Sequence, residues 1–255
     1  MQLSSISLAI TRLGRPANPD AAIKALFASG EQGAWYDPSD LSTMFQDSAG
    51  TTPVTAAGQP VGKILDKSGR GNHASQATAA ARPILQTDGT YWWLRGDGVD
   101  DMVQTPTIGW ANTLTWVHGM SVDSFGTERR FTGNIRQRVA VLTDSRLRFS
   151  FVGVVDMYSA AGFFVAGEKI VTAVLVDPTG IGKTKFRKNG AANSTVTSTA
   201  TSGVADEPTG IFAQGVTSGL PMPGNIYSVI LINRILTTDE ITETEAWVNR
   251  KIGAY

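Results

Sequence analysis

The sequence predicts an all-β protein: a two-sheet antiparallel jelly-roll sandwich with a short N-terminal arm and helix and one C-terminal helix. Three observations predict it. Apolar runs are short and separated by clusters of Gly, Asp, Asn, Ser and Pro, the punctuation of strands and turns. Helical patterns are confined to one short stretch near the start and one long stretch at the end. Hydrophobic residues make up 42% of the 255 and charged residues 17%, which is enough for a packed core.

Composition excludes several classes. The formal net charge is zero, so nothing marks a general nucleic-acid surface or an anionic-membrane surface. There are no cysteines, hence no disulfide framework, thiolate metal site or thiol nucleophile. With only His73 and His118, a zinc site is not expected. The first fifteen residues lack a basic region, and their apolar run is broken by Ser and Thr, so neither a signal peptide nor a membrane span is expected.

Taken in order, Leu3 to Leu13 alternates weakly, as an edge strand of this domain or as an arm that pairs with a neighbour's sheet. Asp20 to Ala28 reads as a short helix capped by Asp20, with Ile23, Leu26 and Phe27 on one face and Gly30 ending it. Residues 1–30 are therefore assigned to an arm and helix, and 31–255 to the sandwich. Trp35-Tyr36 starts a strand that turns at Asp37-Pro38-Ser39-Asp40, and Thr51 to Pro60 is a loop. Ile64-Leu65 is stopped by the turn residues Asp66 to Asn72. Trp92, Trp93 and Leu94 are stopped by Gly96-Asp97-Gly98, and Val99, Met102 and Val103 resume. Thr113 to Val122 places Leu114, Trp116, His118 and Met120 on one face. Val139 to Val141 and Leu147 to Val152 flank a hairpin turn at Thr143 to Arg146. Ile170 to Val176 is apolar throughout, as expected of a central strand covered on both faces. Thr184 to Lys188, Asn189-Gly190 and the polar Asn193 to Thr201 predict a type I′ hairpin at an edge. Ile211 to Ala213 and Ile226 to Ile232 are further strands. Thr238, as a cap, opens the C-terminal helix, with Ile241, Trp247 and Ile252 as its apolar contacts, packed against a sheet edge.

Several of these residues also carry a family resemblance. Asp66, Ser68, Gly69, Gly71, Asn72 and Ala74, followed by Asp97 to Asp101, resemble the laminin-G-like, concanavalin A-like lectin/glucanase superfamily. Gly224 to Leu236 with Thr238 to Ile241 is similar to that family's last strand and closing helix. Trp35 to Leu41 with Phe45 to Val54 resembles the version found in tailed bacteriophages and prophages. The resemblance covers roughly Gln32 to the end. It implies a non-enzymatic virion protein on the tail or capsid exterior, made in the host cytoplasm, that binds a host-surface glycan. Its implied partners are other virion proteins, reached through the N-terminal arm, and further copies of itself. The alternatives are a purely structural capsid-decoration or tail-tip subunit, and a glycan hydrolase. A fold hosts many functions, so the site must decide among them.

Candidate chemistry is sparse. Arg95-Gly96-Asp97 spells an adhesion tripeptide, but it sits in a run and turn that the fold explains. Gly182-Lys183-Thr184 resembles the end of a phosphate-binding loop, yet that motif needs Gly where Asp177 stands. The E-x-D-x-x-E strand of the superfamily's glucanases is missing, so no catalytic residues are assigned. Asp97, Asp100 and Asp101 are hard oxygen ligands, and laminin-G-like domains often hold calcium with such loops. The other reading, which we prefer, is that these carboxylates cap turn N–H groups. No other cofactor is expected. A sugar site needs an aromatic platform beside polar groups. The candidates are Tyr158, Phe163 and Phe164 in one loop and Arg129 and Arg130 in the preceding one, with Trp92, Trp93, Trp116 and Trp247 expected in the core.

Overall fold

A computed structural model describes residues 18–152, 155–177, 183–196, 206–215 and 219–255. The strand reading of Leu3 to Leu13 lies outside the described residues. Helix α1 (Pro19–Ala25) is followed by β1 (Gly33–Tyr36), β2 (Met44–Phe45), β3 (Lys63–Ile64), β4 (Ala74–Ser75), β5 (Ile84–Thr87) and β6 (Trp92–Asp97). Then come β7 (Val103–Ile108), β8 (Leu114–Val122), β9 (Arg129–Gly133), β10 (Gln137–Val141), β11 (Leu147–Phe151) and β12 (Val155–Tyr158). The chain closes with β13 (Ile170–Val176), β14 (Thr184–Lys188), β15 (Ala191–Val196), β16 (Glu207–Ile211), β17 (Pro223–Ile232) and α2 (Thr238–Ile252).

The strands form the predicted two-sheet antiparallel sandwich. The first sheet runs β15-β14-β13-β8-β17-β6-β5, with β1 also paired to β17, and the second runs β12-β11-β10-β9-β16-β7-β4-β3-β2. Between them lies the main core, in which Trp116, Phe131, Phe149, Phe151 and Phe212 interdigitate. Leu114, Trp116 and Met120 face this core, as their alternation predicts, and His118 faces it too. Val117, on the opposite face of β8, joins a second core with Val171, Ala173, Leu175, Ile230 and Ile232, under α1 and α2. β13 is accordingly buried at every position. The Asn189-Gly190 hairpin forms with φ values of 51° and 78°, the left-handed conformation that a type I′ turn requires, and β15 takes the sheet edge.

The structure corrects five details of the reading. Asn18, not Asp20, caps α1, because Pro19 has no N–H and suits the first helical position. Asp20 instead accepts a bond from Trp247 Nε1 at 3.0 Å and pairs with Lys67 at 2.8 Å. Thr237, not Thr238, caps α2, because only that register places Glu240 three residues on to close the capping box. α2 covers the middle of the first sheet's outer face rather than an edge, since β8, β13 and β17 present apolar residues there. β6 continues through Gly96 and Asp97, where a Cβ on Gly96 would stand 2.5 Å from the Phe212 ring. Val99 is consequently the tip of the turn, 73% exposed. β16 starts at Glu207 and stops at Ile211, because Phe212 turns the chain at φ 75°.

The D-x-S-G-x-G-N run has a defined task. The Asp66 carboxylate accepts from Trp35 N (2.9 Å), Ser68 N (2.8 Å), Ser68 Oγ (2.7 Å) and Asn72 N (3.0 Å). Asn72 Nδ2 then donates to the Gly33 carbonyl at 2.6 Å. Asp66→Ala leaves the Trp35 and Asn72 amides buried without an acceptor, so a loss of about 3 kcal/mol in urea unfolding is expected, with less for Asp66→Asn. A loss under about 1 kcal/mol would mean that water replaces the carboxylate.

His118 gives a second expectation. Thr132 Oγ1 donates to the Phe131 carbonyl at 2.7 Å, so the His118 Nε2–H donates to Thr132 Oγ1 at 3.0 Å, and Nδ1 has no partner. Burial holds the imidazole neutral, lowering its pKa from 6.5 to about 3. Its contribution to stability is complete above pH 6.5 and is lost as pH falls from there toward 3. His118→Gln should flatten the fall in unfolding free energy between pH 7 and pH 4 by on the order of 3 kcal/mol. Parallel curves for the two proteins would refute this.

Candidate ligand-binding face

Sheet register places two polar rows on the outer face of the second sheet, the face turned away from the main core. On β11, Leu147, Phe149 and Phe151 point into the core, so Arg148 and Ser150 point outward. Arg148 pairs across to Tyr158 on β12 and to Ala140 on β10, and Ala140 pairs to Arg130 on β9. In the next row, Asp156, Ser150, Arg138 and Gly133 follow one another. Three arginines therefore meet over a floor that includes Ala140, Ser150 and Gly133.

Their charges are incompletely matched. Glu128 Oε1 accepts from Arg130 Nε at 2.9 Å and from Arg148 Nη2 at 2.5 Å. Asp156 Oδ2 stands 3.7 Å from Arg148 Nη1 and accepts from the Tyr158 hydroxyl at 3.3 Å. Arg130 also donates to Gln214 Oε1, and Arg138 Nη1 reaches the same oxygen at 3.4 Å. Among the described residues no carboxylate lies within ion-pair distance of Arg138. Burial, then the neighbouring charges of Arg130 and Arg148, push the Arg138 guanidinium below its ordinary pKa. Arg148 is only 9% exposed and Ser150 fully buried, yet Arg148 Nε, Arg138 Nε and Ser150 Oγ have no hydrogen-bond partner within the protein. Buried donors of this kind are rarely left unmatched.

Of the residues expected at a sugar site, the structure brings Arg130 and Tyr158 to this face. Arg146 lies over the Tyr158 ring at 4.7 Å, so one face of that platform is already covered. Phe163 and Phe164 are not a platform at all. They are 0% and 3% exposed and pack against each other, with Phe164 also against Phe131, because their loop folds back over the sandwich core through Phe164 N to Ser145 O and Gly167 N to Val122 O. Arg129 points elsewhere, donating to the carbonyls of Gly98 (3.3 Å) and Pro221 (3.1 Å). Trp116 and Trp247 are buried as expected, while Trp92 and Trp93 are half-buried. Sequence reading missed Arg138 and Arg148. The strict alternation of Leu147-Arg148-Phe149-Ser150-Phe151 is the signal that marks Arg148 as outward-facing.

The acidic turn lies beyond Arg129. Oxygens of Asp97, Asp100 and Asp101 come within 4.8 Å of one another, close enough to share a calcium ion with ligands at about 2.4 Å. The carboxylates of Asp97 and Asp101 also accept hydrogen bonds within the turn. Asp101 Oδ2 accepts from Asp97 N at 2.9 Å, and Asp97 Oδ1 accepts from Val99 N at 2.7 Å. Arg95-Gly96-Asp97 lies on strand β6 with Arg95 ion-paired to Asp123, so the tripeptide is not displayed on a loop. Two recesses of about 340 and 390 Å³ lie elsewhere, the first beside the start of α2 and the second between α1 and the Ser68–Arg70 turn. Neither contains an expected site residue. No described helix is long and apolar enough to cross a membrane.

No family model and no curated protein matches the sequence. Solved structures do share the fold. Trypanosoma rangeli sialidase in complex with sialic acid superposes with a TM-score of 0.55 at 12% identity, over 87% of this chain and 33% of that one. A botulinum neurotoxin type C structure, described as interacting with two ganglioside molecules, gives 0.57 at 10% identity, over 90% and 53%. The binding domain of the serotype D toxin gives 0.53 at 9% identity, over 72% and 48%. The chain thus spans a third to a half of these proteins, and the likeness is one of fold.

The acidic turn supplies a test. Burial foremost, with the charges of Asp97 and Asp100 and against the Asp97 N–H bond, pushes Asp101 up to about 6. Its contribution to stability is full below pH 3.8 and lost as pH rises through about 6. Asp101→Asn keeps an acceptor and removes the charge, so its melting midpoint at pH 8 should be at least that of the wild type, with or without millimolar calcium. A midpoint that calcium raises in the wild type and not in the variant would overturn the capping reading and install a calcium site.

Proposed function

We propose that this chain is a non-enzymatic glycan-binding module, and that it serves on the exterior of a bacteriophage particle as an attachment protein. The observation that carries the binding reading is the outer face of the second sheet. The first sheet's outer face is closed by two helices, whereas this one presents Arg130, Arg138, Arg148 and Tyr158, with no described carboxylate at ion-pair distance from Arg138. Fixed polar groups on a rigid sheet are suited to saccharide hydroxyls and ring substituents, and holding them on strands limits their loss of freedom on binding.

The fold neighbours support the reading, since one is in complex with sialic acid and another is described as interacting with gangliosides. The phage assignment is supported by the Trp35 to Val54 resemblance. Against hydrolysis stands the engagement of the face's two carboxylates. Glu128 is bound by two arginines and Asp156 by Arg148 and Tyr158, which leaves no opposed acid and base across a groove. Against a purely structural role stands the polar character of this face, which no described helix covers, since a permanent protein contact selects an apolar one.

The test is retention of the purified chain on immobilised bacterial surface polysaccharides, with released reducing ends assayed in the same wells. Saturable retention without sugar release is expected. No retention on any polysaccharide would sink the glycan reading, and sugar release would overturn the non-enzymatic one.

A further inference from the structure

We infer that the ligand of this face is an acidic saccharide, one bearing carboxylate or sulfate groups, anchored by Arg138 between Arg130 and Arg148. The inference rests on the glycan-binding reading and names its ligand class.

The charge count carries it. Three guanidiniums share two carboxylates, and the neutral oxygen of Gln214 occupies the place where a third acid would complete the match. The unmatched cation is Arg138, whose Nε is unbonded and whose one side-chain hydrogen bond among the described residues is the 3.4 Å contact to Gln214. Two further unbonded donors border it. Arg148 Nε belongs to a side chain nine-tenths buried, and Ser150 Oγ sits directly across from Arg138 in the sheet register. A planar anionic oxygen pair supplies the missing negative charge and accepts from the partly exposed Arg138 guanidinium. A neutral sugar accepts hydrogen bonds but leaves the excess charge in place.

The geometry also explains why the protein does not quench Arg138 itself. Its cross-strand neighbours are Ser150 and Gly133, neither of which carries a charge or overhangs it. The charges of Glu128 and Asp156 act to raise the Arg138 pKa, yet Glu128 Oε1 is bound to Arg130 and Arg148 and Asp156 stands against Arg148.

The experiment is isothermal titration of the full chain, at 50 and 500 mM NaCl, with alginate, heparin, neutral dextran, inorganic sulfate and polyphosphate. Alginate or heparin should bind, more weakly at high salt, and dextran should not. Arg138→Gln should weaken that binding about tenfold or more, the worth of a charge-assisted hydrogen bond, with little change in melting midpoint. Glu128→Gln should act in the opposite direction and tighten it, because it frees two more guanidinium groups. Binding of dextran alone, or acidic-glycan binding that neither variant alters, would overturn this inference and leave the glycan reading standing. Polyphosphate and sulfate binding as tightly as the acidic glycans would keep the anion site and overturn the saccharide. No binding by any probe would overturn this inference, and failure on the polysaccharide panel as well would overturn the reading beneath it.

Discussion

The Asp66 carboxylate is the constraint on which the rest of the structure depends. Four donors converge on it, two from its own turn, one from Asn72 and one from Trp35 on β1. The turn residue Lys67 extends the junction outward. Its ammonium contacts Asp20 on α1 and both Asp37 and Asp40 in the turn after β1, and Lys251 on α2 shares Asp37. Burial alone would lower the Lys67 pKa, and the three carboxylates more than reverse that. Breaking one member of such a cluster strands the others, which costs several times what an exposed pair is worth. One short turn thereby fixes β1, α1 and the end of α2 relative to the second sheet.

This junction determines which surface remains available. Docking both helices on the first sheet closes the face where Val117, Val171, Ile230 and Ile232 emerge, and Trp35 and Trp247 meet edge to face there at 5.4 Å. The second sheet receives no helix among the described residues. Its outward residues must satisfy themselves or meet solvent or a ligand. That asymmetry follows from the pattern: β13 is apolar on both faces and β8 is buried at every position, so both require two covering layers, whereas β10 and β11 are apolar on one face.

The fold was legible because strand punctuation and alternation are local. The Asn189-Gly190 hairpin, the buried Ile170 to Val176 strand and the face assignment of Trp116 all follow from a window of ten residues or fewer. The helix caps were misplaced by one or two residues because Asn18 and Thr237 compete with adjacent polar residues for the same task, and only Pro19 and Glu240 decide between them. The candidate face was legible only in part. Arg130 and Tyr158 were identified as polar and aromatic residues near turns, but Phe163 and Phe164 were misjudged, since a loop segment gives no period from which to read its burial. Arg138 and Arg148 lie on strands, where alternation marks them as outward-facing. Their importance emerges only when register sets them beside each other, and pairing of β10 with both β9 and β11 is a non-local fact.

The same non-local fact separates a solvated charge from a site. An arginine on an isolated strand extends into water and retains its hydration. Here the neighbouring rows hold Arg148 down to 9% exposure, so its Nε has lost water without gaining a partner. A structural ion-pair network would match every guanidinium with an acid; Arg148 has Glu128 and Asp156, but Arg138 has Ser150 and Gly133 at its cross-strand positions and, among the described residues, no carboxylate at ion-pair distance. Removing the arginines by apolar substitution is the other stabilising route, and it is commonly open to buried charges. A sequence that takes neither route retains a surface poised for an external anion. The unmatched guanidinium is therefore better explained by what it meets outside the chain than by anything it does for the fold.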